Sequence, residues 1–157
     1  AVIYGNVLYS TGSIIPLIWD SIKNDYELTL YDTEMTRFII HIDEAIELIE
    51  TALEKTGYNV IPNLKSMRII DLFEIYRHRF GLKYTIGVPR ISEKIHETMI
   101  ASEECNRTEF KPKLNAYFMH FKNVSKTPIS RSFDSDSVAI TKENLESLLE
   151  SYDYFQP

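Results

Sequence analysis

Short apolar runs alternate with amphipathic helical segments along nearly the whole chain, and this alternation restricts the fold more than any other feature. Residues 1–8, AVIYGNVL, read as a strand with Val and Ile on both faces, the pattern of an interior parallel strand. Residues 28–31, Tyr58–Ile61 and Lys83–Ile86 read as further strands, with Pro62 closing the second of these. Between the strands the apolar spacing becomes helical. Ile14–Ile22 forms one such stretch, with Pro16 confined to its first turn. A second runs from Asp43 to Lys55 with Ala45, Ile46, Ile49, Ala52 and Leu53 on one face, Asp43 as N-cap and Gly57 beyond its end. A third spans Met67–Phe80, capped by Ser66 and stopped by Gly81. Glu93–Ala101 reads as a helix, residues 106–137 as loop, and Thr141–Leu149 as a last helix capped by Thr141.

Strands alternating with helices argue for an α/β fold with parallel pairing. A first strand that is apolar on both faces expects neighbours on both sides, yet no element precedes it. Only part of a sheet is therefore expected, with an open edge that a second copy or a complementing half would cover. The 157 residues suffice for one core, and the net charge of −6 argues against a nucleic-acid partner. No apolar run approaches the ~20 residues that span a bilayer, and no secretory signal is visible, so no membrane partner and a cytoplasmic location are expected. Cys105 is the single cysteine, and the four histidines have no metal-ligand spacing with it or with one another, so no metal is expected.

Three places invite chemistry. The first strand runs from Tyr4-Gly5-Asn6-Val7 into the polar turn Ser10-Thr11-Gly12-Ser13 before a helix, which puts backbone N–H groups at a ligand-binding edge. Arg37, in Met35-Thr36-Arg37-Phe38, suits either a phosphate contact or a structural salt bridge. Arg90 and Glu93, three residues apart, suit either a grip on phosphate and ribose or an ion pair at a helix start.

These stretches together resemble the UDP-N-acetylglucosamine 4,6-dehydratases, extended short-chain dehydrogenases of polysaccharide biosynthesis, and in particular their capsule-type, 5-inverting branch. Tyr4-Gly5-Asn6-Val7 with Ser10-Thr11-Gly12-Ser13-Ile14-Ile15-Pro16 resembles the family's RYGNV and SRGSVIP stretches. Met35-Thr36-Arg37-Phe38 followed by Asp43-Glu44-Ala45 is similar to its MTRF and EEA. Ser66-Met67-Arg68-Ile69 with Asp71-Leu72, then Ile86-Gly87 with Arg90 and Glu93-Lys94-Ile95-His96-Glu97, continue the match. Phe133-Asp134-Ser135-Asp136-Ser137 resembles the family's tail.

The resemblance implies the C-terminal part of a Rossmann-like fold. Residues 1–31 and about 57–62 would form the edge of the nucleotide-binding sheet, and 32–56 and 63–157 the substrate-binding subdomain and tail. It implies a UDP-sugar substrate contacted by Asn6, Ile14, Tyr31, Arg90 and Glu93, with Arg90 on the diphosphate and Glu93 on the ribose. It also implies an NADP or NAD cofactor lined by Val7, Leu8, Tyr9, Ser10 and Thr11. Ile3 and Thr11 stand where the family has arginine, Tyr31 where it has threonine, and Ile91-Ser92 where it has a glycine-containing pair. The family's Tyr-x-x-x-Lys and glycine-rich turn are not among these residues. The chain alone is therefore expected neither to turn over nor to retain the cofactor, and to act with a complementing N-terminal half or as a homo-oligomer. The alternative is a non-catalytic relative that binds a sugar nucleotide or a partner protein.

Overall fold

The computed structural model describes residues 1–88 and 93–157. A short parallel pair forms first: β1 (Asn6–Val7) lies along β3 (Thr36–Ile40), with Asn6 opposite Ile39 and Val7 opposite Ile40. On its other side β3 pairs antiparallel with β5 (Lys65–Arg68). Flanked on both edges, β3 buries Thr36, Phe38, Ile39 and Ile40. A second parallel pair joins β2 (Leu28–Leu30) to β6 (Tyr84–Ile86). Among the described residues four α-helices connect and cover these strands: α1 (Ile14–Asn24), α2 (Ile42–Leu53), α3 (Ile69–Phe80) and α4 (Lys142–Ser151).

The expected first strand is much shorter than residues 1–8, and it divides. Ile3 N–H donates to Val60 C=O at 3.0 Å, and Val60 N–H donates to Ala1 C=O at 2.9 Å. Residues 1–3 thus run beside β4 (Tyr58–Pro62), while Asn6 and Val7 run beside β3. Gly5 lies where the change occurs: a Cβ there would come within 2.5 Å of Phe38 Cβ, so only glycine admits the close approach of β1 to β3.

Helix limits follow local chemistry, with corrections. The N-cap of α2 is His41, not Asp43: its ring Nδ1 accepts from Asp43 N–H at 3.3 Å while Glu44 Oε2 accepts from His41 N–H at 2.9 Å. That reciprocal pair satisfies two of the orphan donors of the first turn. The apolar face read for this helix is split, with Ala45 buried but Ile46, Ile49 and Leu53 exposed, and Leu48, not read into that face, is buried. Met67 belongs to β5 rather than α3, because β5 continues pairing with β3 up to Arg68. Ser66 does not cap: its hydroxyl donates to Ser135 C=O. Gly81 closes α3 in the left-handed conformation, φ 73°, as expected. Thr141 caps α4 through its hydroxyl, which accepts from Asn144 N–H at 3.3 Å.

One expectation fails outright. Glu93–Ala101 is not a helix: Thr98–Ile100 is a strand, β7, paired antiparallel with β10 (Phe133–Asp134). Residues 106–137, read as loop, also carry three strands, β8 (Thr108–Lys111), β9 (Ala116–His120) and β10. The strands β4, β9 and β8 form an antiparallel sheet in that order. Each is stabilised by its neighbour more than by its own composition, so short mixed runs such as TEFK carry little local signal.

The main core lies between α1, α3, α4 and β2, around Ile15, Ile18, Leu72, Ile75, Tyr76, Leu145 and Leu149. A second cluster, with Phe38, Ile61, Met119 and Phe133, joins β3 to the antiparallel sheet. Between the β2 side and the β3 side of the molecule the chain leaves the cavity described next.

Candidate functional site

A cavity of about 400 Å³ opens between the start of α1, the end of β2 and the β3–β5 pair. Asn6, Ile14, Tyr31 and Glu93 line it, together with Arg37 and Met35. Four residues distant in sequence and expected at the substrate are thus brought to one wall. Arg90 lies outside the described residues. Each position has a local cause. Asn6 is delivered by the close Gly5–Phe38 approach, and Ile14 is the first residue of α1. Tyr31 follows the last residue of β2. Ile14, Met35 and Phe73 make part of the wall apolar, while Arg37 and Glu93 place both signs of charge at it.

Arg37 was open to two sequence readings, and its geometry is that of an anchored cation facing the cavity. Its guanidinium donates to Thr36 C=O at 2.8 Å and to Ile95 C=O at 3.1 Å. Glu93 lies 3.8 Å and Glu97 3.9 Å from it, and its side chain is only 16% exposed. Two carboxylates around one guanidinium leave the local balance slightly negative. The MTRF resemblance was the available signal for Arg37, and the neighbouring carboxylates come only with the tertiary fold.

Behind the cavity, residues 95–97 are stitched to β3 and to the tail. Thr36 N–H donates to Ile95 C=O at 3.0 Å, and Phe38 N–H donates to Glu97 Oε2 at 3.0 Å. Thr36 Oγ1 lies 2.8 Å from His96 Nδ1 and 2.6 Å from Ser135 Oγ, and Ser135 Oγ accepts from Glu97 N–H at 2.8 Å. Ser135 is fully buried. This network replaces the expected helix: backbone donors that a helix would satisfy internally are taken by side chains of other segments.

The turn expected at the cofactor joins Asn6 to Ile14 beside that cavity, without lining it. Val7 is half-buried, and Leu8 is buried with its N–H on Ile40 C=O at 3.0 Å. Its side chain belongs to the main core. Tyr9 takes a left-handed conformation, φ 63°, and stacks on Tyr154 with ring centroids 5.3 Å apart. Burial pushes the Tyr154 phenol up to about 12. Ser10 and Thr11 are exposed, with Ser10 Oγ donating to Val7 C=O at 3.0 Å. Ser13 Oγ, at the start of α1, is buried and without a hydrogen-bond partner among the described residues. An exposed turn ending in an unsatisfied hydroxyl fits a polar group of a dinucleotide.

A shallower groove of about 850 Å³ beside Cys105 and Arg131 is larger, but none of the expected residues reaches it. Among the described residues no group of three or more His, Cys, Asp or Glu is gathered to hold a metal ion. None of their helices is long and apolar enough to cross a membrane.

Comparison with known proteins shows the family and the fold. A UDP-N-acetylglucosamine 4,6-dehydratase (inverting) of Campylobacter jejuni is 36% identical over 108 residues, 67% of this chain and 32% of that protein. A UDP-glucose 4-epimerase of Rickettsia felis is 32% identical over 110 residues, 68% of this chain and 32% of that protein. An uncharacterized membrane protein of Methanocaldococcus jannaschii is 32% identical over 163 aligned positions, 96% of this chain and 49% of that one. The solved structure of Pen from Bacillus thuringiensis matches with a TM-score of 0.85 at 25% identity, covering 98% of this chain and 50% of that chain. The chain thus spans half or less of the length of these relatives. Its fold is the mixed α/β, partial Rossmann-like one of the extended short-chain dehydrogenases, with β1–β3 and β2–β6 as parallel pairs. The family model described as polysaccharide biosynthesis protein matches residues 1–118 of the 157, and on that match the chain belongs to the polysaccharide biosynthesis protein family.

Proposed function

We propose that this chain is the sugar-nucleotide-binding portion of a UDP-N-acetylglucosamine 4,6-dehydratase of polysaccharide biosynthesis. The observation that carries the reading is the convergence of Asn6, Ile14, Tyr31 and Glu93 on one cavity that also holds Arg37. Asn6 offers a donor and an acceptor to sugar hydroxyls, and Ile14 an apolar wall for the sugar ring. Glu93 accepts from ribose hydroxyls. Arg90, by resemblance, supplies positive charge for the diphosphate, while Arg37 holds Glu93 at the cavity wall.

The turn of Val7, Leu8, Tyr9, Ser10 and Thr11, with Ser13, would border NADP or NAD. When bound, the cofactor would take hydride from C4 of the sugar and, once water is lost across C5–C6, return it to C6. The chain's own contribution is to hold the hexosamine against that turn and keep the diphosphate fixed. No Tyr-x-x-x-Lys occurs in the 157 residues, so proton transfer at the sugar hydroxyl falls to a complementing N-terminal half. A cytoplasmic location and assembly with that half, or with further copies, belong to the same reading.

Calorimetric titration with UDP-N-acetylglucosamine, with and without a separately expressed cofactor half of a family member, tests it. Saturable binding is expected. A charge-assisted contact contributes roughly 1.5–3 kcal/mol, so Arg90→Ala should weaken binding by about 10- to 100-fold. Arg90→Lys should recover only part, since lysine lacks the bidentate fork. Absence of binding in both arrangements refutes the reading.

A further inference from the structure

The helix α2 leaves an apolar seam outside the core. Ile42, Ile46, Ile49 and Leu53 are 48%, 47%, 41% and 79% exposed, whereas Ala45 and Leu48, further round the helix to one side, are buried. Their spacing of four, three and four residues is that of the contact positions of paired helices, a narrow stripe rather than scattered surface hydrophobes. The fold does not use the stripe, because Leu48 and Ala52 alone serve the cluster with Val60, Ala116 and Phe118.

Charge identifies what would cover it. Asp43, Glu44, Glu47, Glu50 and Glu54 lie along α2 and its C-cap, and the last turn has no basic residue. Glu44 is used by the cap and Asp43 lies beside His41, but Glu47, Glu50 and Glu54 have no ion pair among the described residues. Charged positions flanking an apolar seam decide which helix pairs with it. A second copy would bring the same carboxylates to the seam, and an anionic lipid surface would be repelled in the same way. We infer that the outer face of α2 docks an α-helix of another polypeptide with an apolar seam flanked by lysine or arginine. This surface is distinct from the sugar-nucleotide cavity, and the inference does not depend on what that cavity binds.

Two synthetic helical peptides with the same Ile/Leu heptad seam, one flanked by Lys and one by Glu, test it by fluorescence anisotropy. The wild-type chain is expected to bind the Lys-flanked peptide at least about tenfold more tightly than the Glu-flanked one, and less tightly as salt rises. The double variant Ile46→Asp with Ile49→Asp should lose binding of the Lys-flanked peptide by about tenfold or more. Both side chains are already solvent-facing, and an unchanged circular dichroism melt of the variant confirms that the fold is kept. Equal binding of the two peptides, equal binding by the variant, or no binding of the Lys-flanked peptide overturns the inference. So does a concentration-dependent dimer, seen by sedimentation, that the double variant abolishes, or binding of the wild type to anionic vesicles that the variant loses.

Discussion

Replacing Gly5 by alanine should injure both the fold and the cavity, through a single contact. The added methyl would lie 2.5 Å from Phe38 Cβ and 2.9 Å from the carbonyl carbon and oxygen of Phe38. Carbon atoms pack at about 3.5–4.0 Å, so β1 and β3 must separate by roughly 1 Å. Phe38 has nowhere to go: it is fully buried, its ring lies 4.9 Å from that of Phe133, and its N–H is held by Glu97. The strain therefore falls on β1, on the Leu8 N–H bond to Ile40 C=O, and on the position of Asn6. Overpacking of this kind costs about 1–3 kcal/mol. At about 2–4 °C per kcal/mol for a chain of this size, a mid-range cost lowers Tm by roughly 4–8 °C. Differential scanning calorimetry reads the shift, and calorimetric titration with UDP-N-acetylglucosamine reads the expected loss of affinity as Asn6 moves. Gly57→Ala is the control: nothing lies within 4 Å of its added methyl, and only its positive φ of 85° is strained. It should cost stability and leave affinity intact. A Gly5→Ala chain that melts within about 1 °C of wild type, or binds ligand equally well after losing stability, would refute the steric argument.

Ser135→Ala removes the hydroxyl that accepts from Glu97 N–H and meets Thr36 Oγ1, leaving buried groups without partners, so urea unfolding should show a loss of about 1–3 kcal/mol. A loss comparable to that of an exposed serine would mean that the tail does not lock residues 95–97. Tyr76→Phe should cost less, about 0.5–1.5 kcal/mol, because Tyr154 C=O keeps the Trp19 indole N–H when the Tyr76 hydroxyl is removed. Burial raises the phenols of Tyr76, Tyr84 and Tyr154, the latter two to about 12, above their ordinary value of 10.0. The unfolded chain then releases these protons first, so stability is full below about pH 10 and falls as pH rises toward 12. Tyrosinate absorbance followed alongside circular dichroism should show these phenols ionising only with unfolding; complete ionisation in a native chain would contradict it.

Local chemistry made much of this protein legible before any fold was known. Strong helical periodicity marked α1, α3 and α4, and Gly81 and Thr141 ended or began helices where backbone conformation and hydroxyl capping require such residues. The cavity residues Asn6, Ile14 and Glu93 sit in stretches whose residue order is itself distinctive. The α2 cap turns on His41 and its near neighbours, but in the larger misreadings the decisive partner is remote. Glu93–Ala101 has a helical residue mix, yet Thr36, Ser135 and β10 take its backbone groups, so extended structure wins. The strands of residues 106–137 gain their stability from β4 and from one another, and alone they carry little pattern. The outward face of α2 shows the same limit, since periodicity marks apolar positions but only packing decides which of them reach the core. Sequence by itself determined the alternation of elements, the family motifs and the chain's acidity. The tertiary structure alone decided that β1 divides between β3 and β4, that Arg37 stands between Glu93 and Glu97, and that four separated residues share one cavity. Those outcomes depend on distances between segments far apart along the chain, which local propensity does not encode.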